Sequence, residues 1–340
     1  MSRRAFITGI TGQDGAYLAR LLLDHCYEVH GGARRLDDVS TFRLTRLGIR
    51  NRLHLVPLDL DRAETVAAVL ADCRYDEFYN LGAQSFVGTS WDEPVYTARV
   101  DGLAVAQVLD ILRKTAPETR FFQASTSEIF GQVREVPQTE TTALHPRSPY
   151  GVAKVFAHYI TLNYRESHGL HASSGILFNH DSPLRGIDFV TRKVTRGLAS
   201  IAHGGTDPVT LGNLNVERDW GHAREYVTAI WRMLQQDRAD DYIIATGIST
   251  ALRTFVNHAA AGLDMQLDWQ GEGIAETAHD RRTGRQVIGV SPHFFRPAEV
   301  DLLVGDASKA RHDLDWSPRI GVADLAAEMA RADYDALAHA

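Results

Sequence analysis

GITGQDG (residues 9–15) follows the short apolar run RAFIT (4–8) and opens a helical pattern, and its reading decides the fold. Gly9, Gly12 and Gly15 recur at three-residue intervals where the chain passes from strand to helix. Glycine permits the tight turn and lets backbone approach a pyrophosphate, while the helix N-terminus presents unpaired N–H groups and the positive end of its dipole. Alone, the triplet would be a packing turn; between a strand and a helix it is a dinucleotide fingerprint.

Working outward, β-rich runs at 27–34 (YEVHGGAR), 53–59 (LHLVPLD) and 77–83 (EFYNLGA) alternate with helical stretches at 16–25 and from about 63. RFFQAS (120–125), HASSGILF (171–178) and DYIIATG (241–247) read as later strands of the same sheet. Strands alternating with helices imply a parallel sheet wound by right-handed crossovers. The fold class is therefore α/β: a Rossmann-like doubly wound parallel sheet with a smaller α/β C-terminal substrate lobe. The dinucleotide-binding domain is expected to take residues 1–178 plus about 216–248, and the lobe about 179–215 plus 249–330. The polar stretch 271–289 reads as a loop or hairpin.

The 340-residue chain, 44% hydrophobic and 23% charged, has the composition of a globular protein. Its net charge of −7 carries no electrostatic signature of nucleic acid or an anionic membrane, so neither is expected as a partner. A polyanionic ligand must find a local basic pocket. Cys26 and Cys73, the only cysteines, are too few for a disulfide framework and lack zinc spacing, which points to a cytoplasmic home. The basic start superficially resembles a signal peptide, but glycines and polar residues interrupt the apolar run by Thr8. No apolar stretch approaches the roughly 18 residues of a membrane span. Nothing among the 15 histidines has the spacing of a metal motif, and no metal is expected.

About twenty residues past Gly15, where an NAD-binding unit carries an acid for the ribose hydroxyls, stand Arg34 and Arg35. Two guanidiniums there suit a 2′-phosphate and favour NADP over NAD. A solvated basic loop is the plain alternative, and Asp37 and Asp38 keep NAD open. Asp59 suits the adenine edge or a helix cap. In SPYGVAK (148–154), a proline able to begin a helix precedes Tyr150 and Lys154, whose four-residue spacing puts them on one helix face. A nearby ammonium favours a phenolate and makes tyrosine a usable base. Thr126 and Glu128 follow the strand RFFQAS, which brings them to the same carboxyl edge of the sheet. Lys154 then has two tasks, holding the nicotinamide ribose and biasing Tyr150. Glu128 is a candidate acid and base, or an ordinary acid at a helix start.

With these residues in place, the chain resembles the extended short-chain dehydrogenase/reductase family, whose GxxGxxG and YxxxK patterns it carries. More narrowly, it resembles the GDP-mannose 4,6-dehydratase branch over nearly its whole length. The carrying stretches include GITGQDGAYLA, NLGAQSFVG, QASTSEIFG, PRSPYGVAK, FNHDSPLRG, LGNLNVERDWGHAREYV and FFRPAEVDLL. The resemblance implies a catalytic set of Thr126, Glu128, Tyr150 and Lys154. It also implies further cofactor contacts at Thr11, Gln13, Asp14, Leu60, Leu81, Ala83, Ser85, His180 and Arg185. Substrate contacts fall to Ser85, Asn179, Lys193, Gly212, Arg218, Arg296 and Glu299. By the same resemblance the cofactor is NADP, the substrate GDP-mannose and the assembly a homodimer or homotetramer. The segment after the paired arginines is shorter than in many members, which weakens the transfer of a tetramer. Other nucleotide-sugar dehydratases, epimerases and reductases remain as alternatives, as does a noncatalytic cofactor-binding protein.

Overall fold

The protein is described by a computed structural model that covers residues 2–294 and 302–338. Its central sheet contains β1 (Arg4–Thr8), β2 (Glu28–Ala33), β3 (His54–Pro57), β4 (Glu77–Asn80), β5 (Arg120–Thr126), β6 (Ala172–Leu177) and the strand Asp241–Ile244. All neighbours pair in parallel, in the order Asp241–Ile244, β6, β5, β4, β1, β2, β3. The winding reverses between β1 and β4, and in open α/β sheets that crevice receives the ligand.

Side chains alternate across the pleat as strand geometry requires. Phe6, Phe78 and Phe121 enter the core on one face with Val66, Val105 and Leu109. Ile7, Tyr79 and Phe122 enter the opposite face with Leu18, Leu22 and Ile230. Both faces are thus covered by helices, which is the condition for an all-parallel sheet.

The first helix, α1 (Gln13–Asp24), starts three residues earlier than the sequence pattern suggests. The reason is steric. Gly9 takes a left-handed conformation at φ 68°, and a Cβ on Gly15 would lie 2.4 Å from the Gly9 carbonyl oxygen. The missing side chain lets the helix begin inside the glycine stretch and rest on the turn. A five-residue helix, α2 (Phe42–Arg46), follows β2, and α3 (Ala63–Asp72) begins where the sequence places it.

The smaller lobe is built on a sheet ordered Leu267–Gln270, Thr277–Asp280, Gln286–Val290, Val209–Leu211. The polar stretch 271–289 resolves into its antiparallel hairpin. Trp220, Phe255, Leu198, Val209, Leu325 and Met329 share this lobe's core. The helix Val322–Ala338 closes it through a buried ion pair: Arg192 donates from Nε at 3.0 Å to Asp333 Oδ2 and lies 2.6 Å from Oδ1. Thr195 adds a hydroxyl donor at 2.7 Å. Removing one member of such a pair strands the other charge without water. Asp333→Ala is therefore expected to cost about 3–5 kcal/mol. The urea midpoint measures this, and a midpoint near the parent's would count against the clamp.

Candidate active site

The carboxyl ends of β1, β4 and β5 are joined by buried side chains. Gly82 N–H donates to Thr8 Oγ1, whose own hydroxyl donates to Asn80 Oδ1, both at 2.8 Å. Asn80 Nδ2 donates to Gln123 Oε1, and Gln123 Nε2 to the Ala124 carbonyl, again at 2.8 Å. Lys154 Nζ donates to that same carbonyl at 3.1 Å.

Lys154 comes from the helix Pro149–His168, and its start follows from sequence. Pro149 occupies the first turn, where its missing N–H is no loss, and Ser148 Oγ accepts from Gly151 N at 3.0 Å. Tyr150 and Lys154 share its buried face, 8% and 3% exposed. Thr126 ends β5 and caps the short turn Ser127–Ile129, its Oγ1 accepting from Glu128 N at 3.3 Å. Thr126, Glu128, Tyr150 and Lys154 all line one cavity of about 550 Å³.

Burial is the main force on the pair. It pushes the Tyr150 phenol well up, the Asp101 and Glu128 charges push the same way, and a hydrogen bond with Thr126 opposes them. This reverses the shift that the Tyr-x-x-x-Lys spacing suggests. Burial also lowers Lys154, against the pull of Asp101. Asp101 was not expected from the sequence reading. It lies in a π-helical turn, Arg99–Leu103, at 1% exposure, and its Oδ1 accepts from Gln84 N at 2.7 Å. Its Oδ2 has no hydrogen-bond partner among the described residues. One signal marks it: a carboxylate heading the apolar stripe Ala104, Val105, Val108, Leu109, Leu112.

The cofactor candidates divide. Gly9, Gly12, Gln13, Asp14 and Gly15 line the cavity floor, and Leu81, Ala83 and Ser85 a wall. Gly12 is the N-cap of α1 and supplies no side-chain acceptor, so the first-turn N–H groups are left to an anion. His180 Nε2 stands 2.9 Å from Asp14 Oδ2, while its Nδ1 faces the Phe178 carbonyl at 2.7 Å. Burial works against the imidazolium, but Asp14 outweighs it and raises His180. Arg185 pairs with Asp181 at 2.8 Å, its guanidinium 3.6 Å from the Phe189 ring centre.

Thr11, Asp59 and Leu60 are not among the cavity walls. Thr11 offers its carbonyl to Arg43, a second residue the sequence reading passed over, at 3.0 Å. Asp59 accepts from Asp61 N at 3.1 Å, and α3 takes Arg62 as its N-cap, so Asp59 does not cap that helix. Leu60 is buried against Gly82. Arg34 and Arg35 stand exposed beyond β2: Arg34 donates to Tyr96 Oη at 3.0 Å, and Arg35 pairs with Asp38 at 2.8 Å.

Asn179, Lys193, Gly212 and Arg218 line the lobe side of the cavity. Lys193 holds its ammonium 3.6 Å from the Phe294 ring centre, and burial lowers it. Arg296 and Glu299 lie outside the described residues. Away from the cavity, Glu28, His30 and His54 gather potential ligand atoms within 4.8 Å. His30 is already held by Glu28 at 2.9 Å and Tyr75 at 3.0 Å, and Glu28 also by Arg4.

The GDP-mannose 4,6 dehydratase family model matches residues 6–329. The GDP-mannose 4,6-dehydratase of Sinorhizobium fredii (strain HH103) is 48% identical, spanning 98% of this chain and 97% of that protein. The GDP-mannose 4,6 dehydratase of Homo sapiens is 44% identical, spanning 97% and 91%. Among solved structures, a UDP-glucose 4-epimerase from Thermotoga maritima superposes with a TM-score of 0.81 at 19% identity, over 99% of this chain and 100% of that one. A Pseudomonas aeruginosa protein, RMD complexed with NADPH, superposes at 0.76 with 20% identity, over 98% and 100%. The structural likenesses support the fold, and the sequence relatives the family.

Asp101 yields a test of this electrostatic picture. Burial raises its carboxyl from 3.8 to about 6. A folded value above the unfolded one means stability that is fully present below pH 3.8 and lost as pH climbs through 6. Asp101→Asn does not titrate, so its melting temperature relative to the parent is expected to rise between about pH 4.5 and about pH 7.5. A difference that stays flat would remove burial as the cause.

Proposed function

This chain belongs to the GDP-mannose 4,6-dehydratase family, and from that premise we propose how its residues convert GDP-D-mannose to GDP-4-dehydro-6-deoxy-D-mannose and water. The observation that carries the reading is that Tyr150, Thr126 and Glu128 face one cavity with the uncapped glycine turn at its floor. We take NADP as the cofactor, with residues 1–178 and about 223–248 as the unit that binds it, since Glu217–His222 pairs with Ser249–Ala251 and not with the central sheet. Arg34, exposed and donating to the Tyr96 hydroxyl, and the exposed Arg35 beside it are the cations available to a 2′-phosphate.

A bound NADP, held by the glycine turn and Lys154, would supply a reversible hydride store between C4 and C6 of the hexose and a ring charge favouring the Tyr150 phenolate. Tyr150 accepts the O4 proton, and Thr126 steadies O4 by hydrogen bonding. Lys154, anchored on the Ala124 carbonyl, has its remaining N–H groups for the ribose. The C4 ketone acidifies the C5 proton, which Glu128 removes. Glu128 passes that proton to O6, which leaves as water. Tyr150 returns the proton taken from O4 to C5, so the net change is loss of one water. On the lobe side Lys193 and Arg218 offer cations to the GDP diphosphate. Arg296 and Glu299 keep this substrate assignment by resemblance.

We also propose a cytoplasmic homodimer. Val152, Phe156 and Tyr159 sit at helical spacing on the outer face of Pro149–His168, at 57%, 42% and 53% exposure, beside Leu103 at 51%. An apolar stripe of this kind on a soluble surface marks a contact with a second copy. Among the described residues no helix is long and apolar enough to cross a membrane.

Glu128→Gln retains the shape and loses the acid. Dehydration is expected to fall about 100- to 10,000-fold while cofactor binding persists, read by product mass with GDP-mannose and no added reductant. Turnover at the parent's rate would dismiss the role. Phe156→Asp should shift the sedimenting species from dimer to monomer; an unchanged dimer would place the interface elsewhere.

A further inference from the structure

The cations at the glycine turn are not all neutralised. Arg185 has Asp181, Arg192 has Asp333 and His180 has Asp14. Arg43, on α2, is different. Its Nε donates to the Leu184 carbonyl at 2.6 Å and its NH1 to the Thr11 carbonyl at 3.0 Å. Both partners are backbone oxygens, and among the described residues no carboxylate makes an ion pair with it. Yet Arg43 is partly buried and lines the cavity beside Gly12 and Gln13. Burial lowers it, the Arg192 and Arg185 charges lower it further, and Asp14 alone pulls the other way.

A guanidinium has five N–H donors in a planar fork, and two are used here. Desolvating a cation among like charges is unfavourable unless an anion completes the site. The one anion that this turn is shaped to receive is a dinucleotide's diphosphate, which sits on the glycine backbone and the α1 N-terminus. We propose that Arg43 is a cofactor-binding residue whose remaining donors take a diphosphate oxygen, while its bonds to Thr11 and Leu184 hold two turns of the site together. The inference rests on reading the glycine turn as a dinucleotide site. It assigns Arg43 to the phosphates common to NADP and NAD, leaving Arg34 and Arg35 to the 2′-phosphate.

The test is equilibrium titration of the nucleotide-stripped, full-length protein with NADP+, NAD+ and GDP. Parent, Arg43→Gln, Arg43→Lys and Arg34→Gln are compared at low and high salt. The expected result is that Arg43→Gln weakens NADP+ and NAD+ by the same factor, about tenfold or more, and leaves GDP unchanged. Its affinity should also depend less on salt than the parent's, with partial recovery in Arg43→Lys. Arg34→Gln should weaken NADP+ alone. Loss of NADP+ binding only, loss of GDP binding only, or no change for either dinucleotide would overturn the assignment. So would an Arg43→Gln effect tracking a lowered melting temperature with the parent's salt dependence retained, since that marks a purely structural bridge. A parent that binds neither dinucleotide would instead defeat the reading of the turn itself.

Discussion

Five hydrogen bonds run sideways through the top of the sheet, from Gly82 N through Thr8, Asn80 and Gln123 to the Ala124 carbonyl that also receives Lys154. Thr8 and Gln123 are fully buried, Asn80 and Lys154 nearly so. In such surroundings an unmet donor or acceptor costs more than a met one gains, so the chain of bonds forms as a unit. Its consequence is positional. The glycine turn after β1 and the helix bearing Tyr150 and Lys154 share one rigid frame, and the cavity lies between them.

On that frame charge is distributed unevenly. The protein is acidic overall, at −7, yet Lys154, Lys193, Arg43, Arg185 and Arg218 all reach the cavity. Buried countercharges sit beside individual cations: Asp14 for His180, Asp181 for Arg185, and Asp101 acting on Lys154 at longer range. Glu128 and Asp188 also line the cavity, so cations and carboxylates are interleaved there, and a cluster of guanidinium and ammonium groups in an acidic protein suits ligands that carry a diphosphate. Tyr150 rests as a neutral phenol because burial and the carboxylates of Asp101 and Glu128 disfavour its anion. Its base strength would therefore depend on positive charge that a bound cofactor brings to the site, and less on Lys154 than the four-residue spacing suggests.

Much of this was readable from residues alone. Short β-rich runs located every strand of the parallel sheet, and glycine spacing located its ligand-binding turn. Thr126, Glu128, Tyr150 and Lys154 converge because each sits at a strand end or a helix start, places that local signals mark well. Asp101 was half visible, as a charge at the head of an apolar stripe. Arg43 was not visible at all. Its two partners come from residues 11 and 184, and nothing near residue 43 announces that either carbonyl will arrive there.

The family thus came from the resemblance of long stretches of the chain, while local chemistry determined the α/β class, the dinucleotide turn and the pairing of phenol with ammonium. These depend on steric freedom, periodicity and spacing within a few residues, which the order of amino acids states directly. Only the tertiary structure decided which charges are buried together, and hence that Tyr150 is pushed up, that Asp101 sits within reach of Lys154 and that Arg43 closes the glycine turn. Electrostatic energies depend on distance and dielectric between groups far apart in the chain, and those quantities come into being only when the chain folds.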